Sequence, residues 1–157
     1  MSCTPTQNSS SKYHIASVEY KQYLHDDQAG GVLPPYPIVI FYEDMLPPKF
    51  TVTKGDEVNT YTIKVNRNMV HDLDDRIVSF NDDITTEWVI TFRRHERAYT
   101  IERRAESSLA WTAPTCGPEQ PTNPLQILLE PLTYLPTEQY PPLLIPTQLF
   151  KFELVQA

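Results

Sequence analysis

Large apolar residues alternate with polar ones along most of the chain, and the alternation has a period of two. Residues 61–65 and residues 99–103 show it most clearly. This period, together with frequent β-branched residues, is typical of strands that bury one face. No window keeps apolar residues at helical spacing between capping residues. The pattern therefore predicts an all-β protein.

The alternating segments also repeat along the chain. Phe50 is followed eleven residues later by Tyr61, and Trp88 is followed eleven residues later by Tyr99, so the two copies are offset by 38 residues. A third copy is divided between the two ends of the chain. An internal repeat constrains the fold strongly. Three units that join terminus to terminus indicate a closed arrangement around one shared core.

Each unit contains four short apolar segments, separated by Pro or Asp/Asn clusters at intervals of about ten residues. Twelve strands in three four-strand repeats predict a β-trefoil with pseudo-threefold symmetry, built by residues 12–157 after a flexible tail of residues 1–11. Phe50, Trp88 and Phe150 are expected to fill one layer of the barrel, and Tyr13, Tyr61 and Tyr99 another. Three isoleucines should point to the same side as the tyrosines: Ile15, Ile63 and Ile101.

Chain length, net charge and cysteine content limit the classes of function that the protein can have. A chain of 157 residues can bury roughly 70% of its unfolded surface as one domain. A net charge of −7 argues against nucleic acid or an anionic membrane as the partner. No apolar run is long enough to span a bilayer, and no secretory signal begins the chain, so we expect a cytoplasmic monomer. Cys3 and Cys116 fit either two free thiols or one disulfide between the tail and a loop.

Motifs for catalysis or cofactor binding are absent from the sequence. The acidic run after His71 lacks the spacing of a calcium loop, and His95 has no second histidine four residues later. Only 4 glycines are available to form a phosphate-binding or nucleophile loop. We therefore expect a protein that is not an enzyme and that needs no metal or cofactor.

An ordered series of segments in the second half carries a family resemblance: residues 87–91, 98–102, 109–114, 126–132, 140–142 and 149–153. On these segments the chain resembles the cospin-like serine-protease inhibitors of mushrooms, well over residues 77–155 and only weakly over the first half. The resemblance implies a β-trefoil stored inside fungal cells, which binds foreign serine proteases through one exposed loop. More distantly, the chain resembles the mushroom cysteine-protease inhibitors, the mycocypins.

The first candidate loop follows the second strand and covers residues 25–35. The resemblance implies that trypsin inhibitors of the family place Lys or Arg in such a loop, because the trypsin specificity pocket contains an Asp. Asp27 and Gln28 stand here instead, beside Asp26. This loop is expected to repel trypsin.

The second candidate loop covers residues 133–146 and contains no Lys or Arg. Tyr134, Leu135, Tyr140 and Leu143 would suit the apolar pocket of a chymotrypsin- or elastase-like enzyme. The alternative is that these side chains fold back over the end of the barrel, since large apolar residues are usually packed.

The third candidate loop covers residues 66–71. Arg67 would suit a trypsin-like pocket, Asn68 would suit an asparaginyl endopeptidase, and Met69 follows them. The alternative is an ordinary hairpin turn, where Asn is common.

A sugar-binding module is the main alternative function. Sugar-binding β-trefoils commonly carry Gln-x-Trp near the end of each repeat, and residues 148–150 resemble that signature. The equivalent positions in the other two repeats hold Pro48 and Thr86, which do not match it.

Overall fold

A computed structural model of the chain describes residues 10–28, 33–40, 46–81, 84–105, 109–115, 124–136 and 142–156. These residues form thirteen β-strands and one short 3₁₀ helix, Pro146–Gln148. The strands are β1 (Ser10–Ser17), β2 (Leu24–Asp26), β3 (Tyr36–Ile40), β4 (Phe50–Lys54), β5 (Thr60–Val65), β6 (Asn68–Leu73), β7 (Arg76–Phe80), β8 (Trp88–Arg93), β9 (Ala98–Arg103), β10 (Leu109–Thr112), β11 (Leu125–Gln126), β12 (Leu128–Pro131) and β13 (Phe150–Gln156).

The strands close into a barrel. Nine of them follow one another in a ring, in the order β7-β12-β10-β9-β13-β1-β4-β5-β6, and the ring closes because β6 also pairs with β7. β8 pairs with β5 and β9, while β3 pairs with β7 and carries β2 and β11. All described pairings are antiparallel. The all-β prediction is thus confirmed.

The more detailed prediction, a β-trefoil of twelve strands in three four-strand repeats, is wrong: a closed nine-strand barrel within thirteen strands is present. The apolar run at residues 127–129 reads as one strand in the sequence. In the structure Ile127 separates β11 from β12, because its N–H donates to the Ile38 carbonyl (2.9 Å) and its carbonyl accepts from the Ile77 N–H (3.0 Å). Periodicity marks where strands occur, but it does not specify which strands they pair with.

The aromatic repeat of the sequence has a counterpart in the strand register. A tyrosine stands directly opposite a large aromatic residue at three places, and these pairs are Tyr13–Phe50, Tyr61–Trp88 and Tyr99–Phe150. β13 makes the last of these pairs and also pairs along β1, so the two ends of the chain meet in one sheet. Each tyrosine of the sequence repeat is therefore a neighbour of a large aromatic residue of the repeat on the paired strand.

The core lies inside the barrel. Phe50, Trp88 and Phe150 have no exposed surface, and the isoleucines at 15, 63 and 101 are equally buried. Trp88 packs edge-on against Trp111, with ring centroids 5.4 Å apart and an angle of 85°. Edge-to-face packing matches the positive rim of one ring to the negative face of the other. The three tyrosines of the repeat are partly buried around a cavity of about 140 Å³.

Candidate inhibitory loops

The first predicted loop follows β2, which pairs with β3, and Asp27 and Gln28 begin the loop. The Asp27 N–H donates to the Pro37 carbonyl (2.8 Å), which fixes the start of the loop against β3. The Gln28 amide donates to Asp26 Oδ2 (2.7 Å), and Gln28 is exposed. Asp26 in turn accepts from Asn66 Nδ2, with both oxygens at 2.9 Å. The first loop is thus tied to the hairpin that carries Asn66.

Near neutral pH, His25 adds no positive charge at the start of the first loop. Burial lowers the pKa of His25, and the neighbouring Asp26 acts weakly in the opposite direction. The neutral imidazole is therefore favoured in the folded protein, because the charged form would lose its hydration.

Sequence reasoning overlooked two exposed leucines. Leu33 in the first loop is 80% exposed and Leu46 before β4 is 91% exposed. Each stands directly before a pair of prolines. Proline disfavours the helical conformation in the residue before it and so favours extended backbone there. In the sequence, an apolar residue followed by two prolines could therefore have indicated an extended segment with an exposed apolar side chain.

The third predicted loop is shorter than expected. Asn66 and Arg67 form a two-residue turn between β5 and β6, because Val65 pairs directly with Asn68. Both turn residues have positive φ, 49° and 69°, which is the geometry of a type I′ hairpin turn. Arg67 is exposed at the tip. Asn68 and Met69, predicted to lie in the loop, belong to β6 and are partly buried, because the strand pairing continues up to the turn.

The second predicted loop has extended arms that pair with each other. Tyr134 stands opposite Leu144 in an antiparallel bridge. The Leu135 N–H donates to the Leu143 carbonyl (2.7 Å), and the Ile145 N–H donates to the Thr133 carbonyl (3.2 Å). Tyr134 is 47% exposed, whereas Leu135 and Leu143 are half-buried. Tyr140 lies outside the described residues.

Buried polar groups hold this loop to the barrel. The fully buried Gln148 side chain accepts from the Thr133 N–H (2.8 Å) and donates to Thr112 Oγ1 (3.0 Å) and the Pro131 carbonyl (2.9 Å). Glu96 Oε2 accepts from the Leu144 N–H (2.8 Å) on the other arm. Leu144 itself is buried against Ala98 and Leu149. One arm therefore packs on the barrel through Leu144, while Tyr134 on the other arm is exposed.

The sequence matches a known inhibitor family over almost its whole length. Residues 6–154 match the family described as Peptidase inhibitor I66. The chain belongs to this family of peptidase inhibitors. The predicted membership of a protease-inhibitor family is confirmed, and proteases are its implied partners. A non-enzymatic role agrees with that membership.

Solved structures share the fold of this peptidase inhibitor. A proteinase inhibitor from Coprinopsis cinerea superposes with a TM-score of 0.75 at 19% identity, over 94% of this chain and 99% of that one. The Rhizoctonia solani agglutinin gives 0.60 at 12% identity, over 98% and 100%. SeviL, in a complex with the asialo-GM1 saccharide, gives 0.62 at 12% identity, over 92% and 97%. Identities this low establish a shared fold alone. Among curated protein sequences, none matches this chain.

The residues that resembled a sugar-binding signature are structural in this inhibitor. Gln148 and Phe150 have no exposed surface, and the Gln148 amide is bonded to the backbone and to Thr112. Neither side chain can touch a sugar in this conformation. The chain shares its fold with the agglutinin, but a sugar-binding role has no support at the one segment that resembled the sugar-binding signature.

Two further expectations concern metals and membranes. Within the described ranges, no group of three or more His, Cys, Asp or Glu side chains is arranged to hold a metal ion. Over the same part of the chain, no helix has the length and apolar character needed to cross a membrane.

Proposed function

We propose that this peptidase inhibitor blocks serine proteases by placing the second candidate loop in the active-site cleft as a substrate would lie. Between β12 and the 3₁₀ helix this loop comprises residues 132–145. The observation that supports this choice is the pairing of Tyr134 with Leu144, which keeps both described arms extended. Gln148 and Glu96 hold the arms to the barrel through buried or partly buried hydrogen bonds. A loop that is ordered before binding loses little conformational entropy in the complex, which favours tight association.

The side chains of this loop favour an apolar specificity pocket. Residues 132–145 include no Lys or Arg, whereas the Asp of the trypsin pocket selects a basic side chain. Tyr134 offers an aromatic ring that is 47% exposed, with Leu135 next to it. Tyr140 and Leu143 supply further apolar side chains in the same loop. The proposed targets are therefore chymotrypsin- or elastase-like enzymes.

The hairpin between β5 and β6 is the second candidate. Arg67 is exposed and would suit a trypsin-like enzyme, and Asn68 would suit an asparaginyl endopeptidase. The left-handed backbone of Arg67, however, differs from the extended shape of a bound substrate. In the first loop, the candidate residues Asp27 and Gln28 suit neither the pocket of trypsin nor an apolar pocket. Both loops are therefore ranked below residues 132–145.

The remaining parts of the proposal rest on resemblance. Residues 77–155 resemble the mushroom inhibitors, and the fold is shared with a proteinase inhibitor from Coprinopsis cinerea. On this resemblance we propose a fungal origin and a cytoplasmic location. That the chain acts as a monomer is a separate proposal. These assignments are separate from the choice of loop.

Inhibition constants against five proteases test the proposal: trypsin, chymotrypsin, elastase, papain and an asparaginyl endopeptidase. We expect nanomolar inhibition of chymotrypsin or elastase and weak inhibition of the other three. Tyr134→Ala should weaken inhibition by about 30-fold or more, because truncating an aromatic anchor at an interface costs about 2 kcal/mol or more.

Leu73→Ala is the matched control, since Leu73 is similarly exposed (51%) but lies on β6. It should leave the inhibition constant unchanged. Trypsin inhibition that Arg67→Ala abolishes would transfer the function to the β5–β6 hairpin. Failure to inhibit any of the five at micromolar concentration would refute the proposal.

A further inference from the structure

A groove of about 610 Å³ lies beside the β5–β6 hairpin, on the sheet formed by β1, β4 and β5. We call it the basic groove, and its lining includes Lys12, Lys49, Lys64, Arg67, Thr51 and Pro48. Its four cationic side chains are all exposed. Only Arg67 among them is a candidate site residue from the sequence, and the three lysines are far apart along the chain.

Strand register places two of these lysines in one row. Lys12 on β1 is directly opposite Thr51 on β4, and Thr51 is directly opposite Lys64 on β5. Residues that face each other across antiparallel strands share one face of the sheet, so both lysines project from the same side. Neighbouring strands are about 4.8 Å apart, which sets the Cα atoms of the two lysines roughly 10 Å apart.

The charges of the basic groove lack carboxylate partners in the described part of the chain. Three other cations there form ion pairs: Arg93 with Glu102, Arg103 with Asp72, and Arg104 with Glu57 and Glu87. No such ion pair involves the four cations of the groove. They form a positive surface on a chain of net charge −7, and such a concentration of one sign attracts an anionic partner.

One carboxylate stands at the edge of the basic groove. Asn66, which lines the groove, donates to both oxygens of Asp26. Asp26 therefore lowers the positive potential at the Asn66 end. Lys12 lies on β1, which β4 separates from the β5 hairpin of Asn66, so Asp26 affects Lys12 less.

We infer that the basic groove binds an acidic segment of a partner protein in extended conformation. In an extended chain, alternate side chains point to the same face about 6.6–7 Å apart. Two such carboxylates fall within reach of the flexible side chains of Lys12 and Lys64, with Thr51 between them as a hydroxyl donor. Pro47 and Pro48 form one wall and present no backbone N–H that would need a partner.

This site differs from the proposed inhibitory loop. The basic groove includes none of residues 132–145. Its binding of an acidic segment can therefore be tested independently of the proposed protease inhibition. It also adds a second partner class to a protein whose family membership points to proteases alone.

Fluorescence anisotropy with a labelled peptide of alternating Glu and Ser tests the inference. We expect binding at about 50 mM salt, and loss of binding at about 500 mM as the charges are screened. The double variant Lys12→Gln/Lys64→Gln should weaken binding about tenfold, because exposed ion pairs contribute modestly and two are removed. A peptide with Gln in place of Glu should not bind.

The matched control is Lys21→Gln/Lys151→Gln, which removes the same charge from two exposed lysines outside the groove. It should retain full binding, whereas equal weakening by both double variants would overturn the inference. Tighter binding of a sulfated oligosaccharide than of the acidic peptide, lost in Lys12→Gln/Lys64→Gln, would also overturn it. If the protein associates with itself and Lys12→Gln/Lys64→Gln abolishes that association, the groove would bind a second copy of the chain, which would contradict an acidic partner.

Discussion

At the scale of single residues, the two tryptophans of the core differ in one polar contact. Trp88 and Trp111 are both fully buried and touch each other. Trp88 Nε1 donates to the Val70 carbonyl (3.2 Å), whereas Trp111 Nε1 has no hydrogen-bond partner. A buried N–H without a partner keeps its desolvation cost, while a bonded one recovers most of it.

Replacing each tryptophan with phenylalanine tests this difference. Both variants lose core volume, but only Trp88→Phe also loses a hydrogen bond and leaves the Val70 carbonyl without that donor. We expect Trp88→Phe to lower the free energy of unfolding by about 1 kcal/mol more than Trp111→Phe does. Urea denaturation of the two variants and the parent protein measures this difference in the free energy of unfolding. A larger loss for Trp111→Phe would contradict the assignment.

At the scale of elements, the turn between β5 and β6 combines tight geometry with an unfavourable residue. Asn66 tolerates positive φ well, and its amide bonds Asp26. Arg67 occupies the second turn position at a φ of 69°, where glycine is preferred in type I′ turns. A side chain held in this conformation is locally strained, and such strain is often found at functional positions.

Arg67→Gly should therefore stabilise the fold. We expect the free energy of unfolding to rise by about 0.5–1 kcal/mol, because the strain at positive φ is relieved. Arg76→Gly is the control, since Arg76 is an exposed arginine that begins β7 and pairs with Leu73 and Leu128. There glycine should lower stability by a similar amount. Thermal unfolding of both variants makes the comparison, and a loss of stability in Arg67→Gly would show that the arginine makes a stabilising contact.

The elements also show how far sequence reasoning reached. Alternation predicted β-strands where β4, β5, β8 and β9 occur, because burial of one face leaves a period of two in the sequence. It missed the division at Ile127, which depends on hydrogen bonds to Ile38 and Ile77 from distant strands. It also placed Asn68 and Met69 in a loop, since the exact length of a turn follows from strand register.

At the scale of the whole molecule, the barrel depends on the meeting of the two chain ends. β13 pairs with β1 over most of its length and with β9 at Phe150. Phe150 is fully buried and packs near Trp111, with ring centroids 6.2 Å apart. The last strand therefore joins the first strand to a strand from the middle of the chain.

Phe150→Ala should weaken the whole barrel. We expect the free energy of unfolding to fall by about 3–5 kcal/mol, with amide hydrogen exchange accelerating in β1 and β9 together. Phe92→Ala is the control, because Phe92 is 50% exposed on β8 and its loss should cost much less. Faster exchange in β13 alone would show that the closing strand is dispensable to the rest.

The sequence by itself determined the all-β class and the buried aromatic repeat, because burial and strand periodicity leave a local record along the chain. The resemblance to protease inhibitors came from an ordered series of matching segments in the second half. Only the tertiary structure decided the closed nine-strand ring, the pairing of Tyr134 with Leu144 and the row of Lys12 and Lys64. These features depend on which distant strands pair and in which register. Pairing between distant strands is fixed by the collective packing of the folded chain, and alternation within one strand does not encode it.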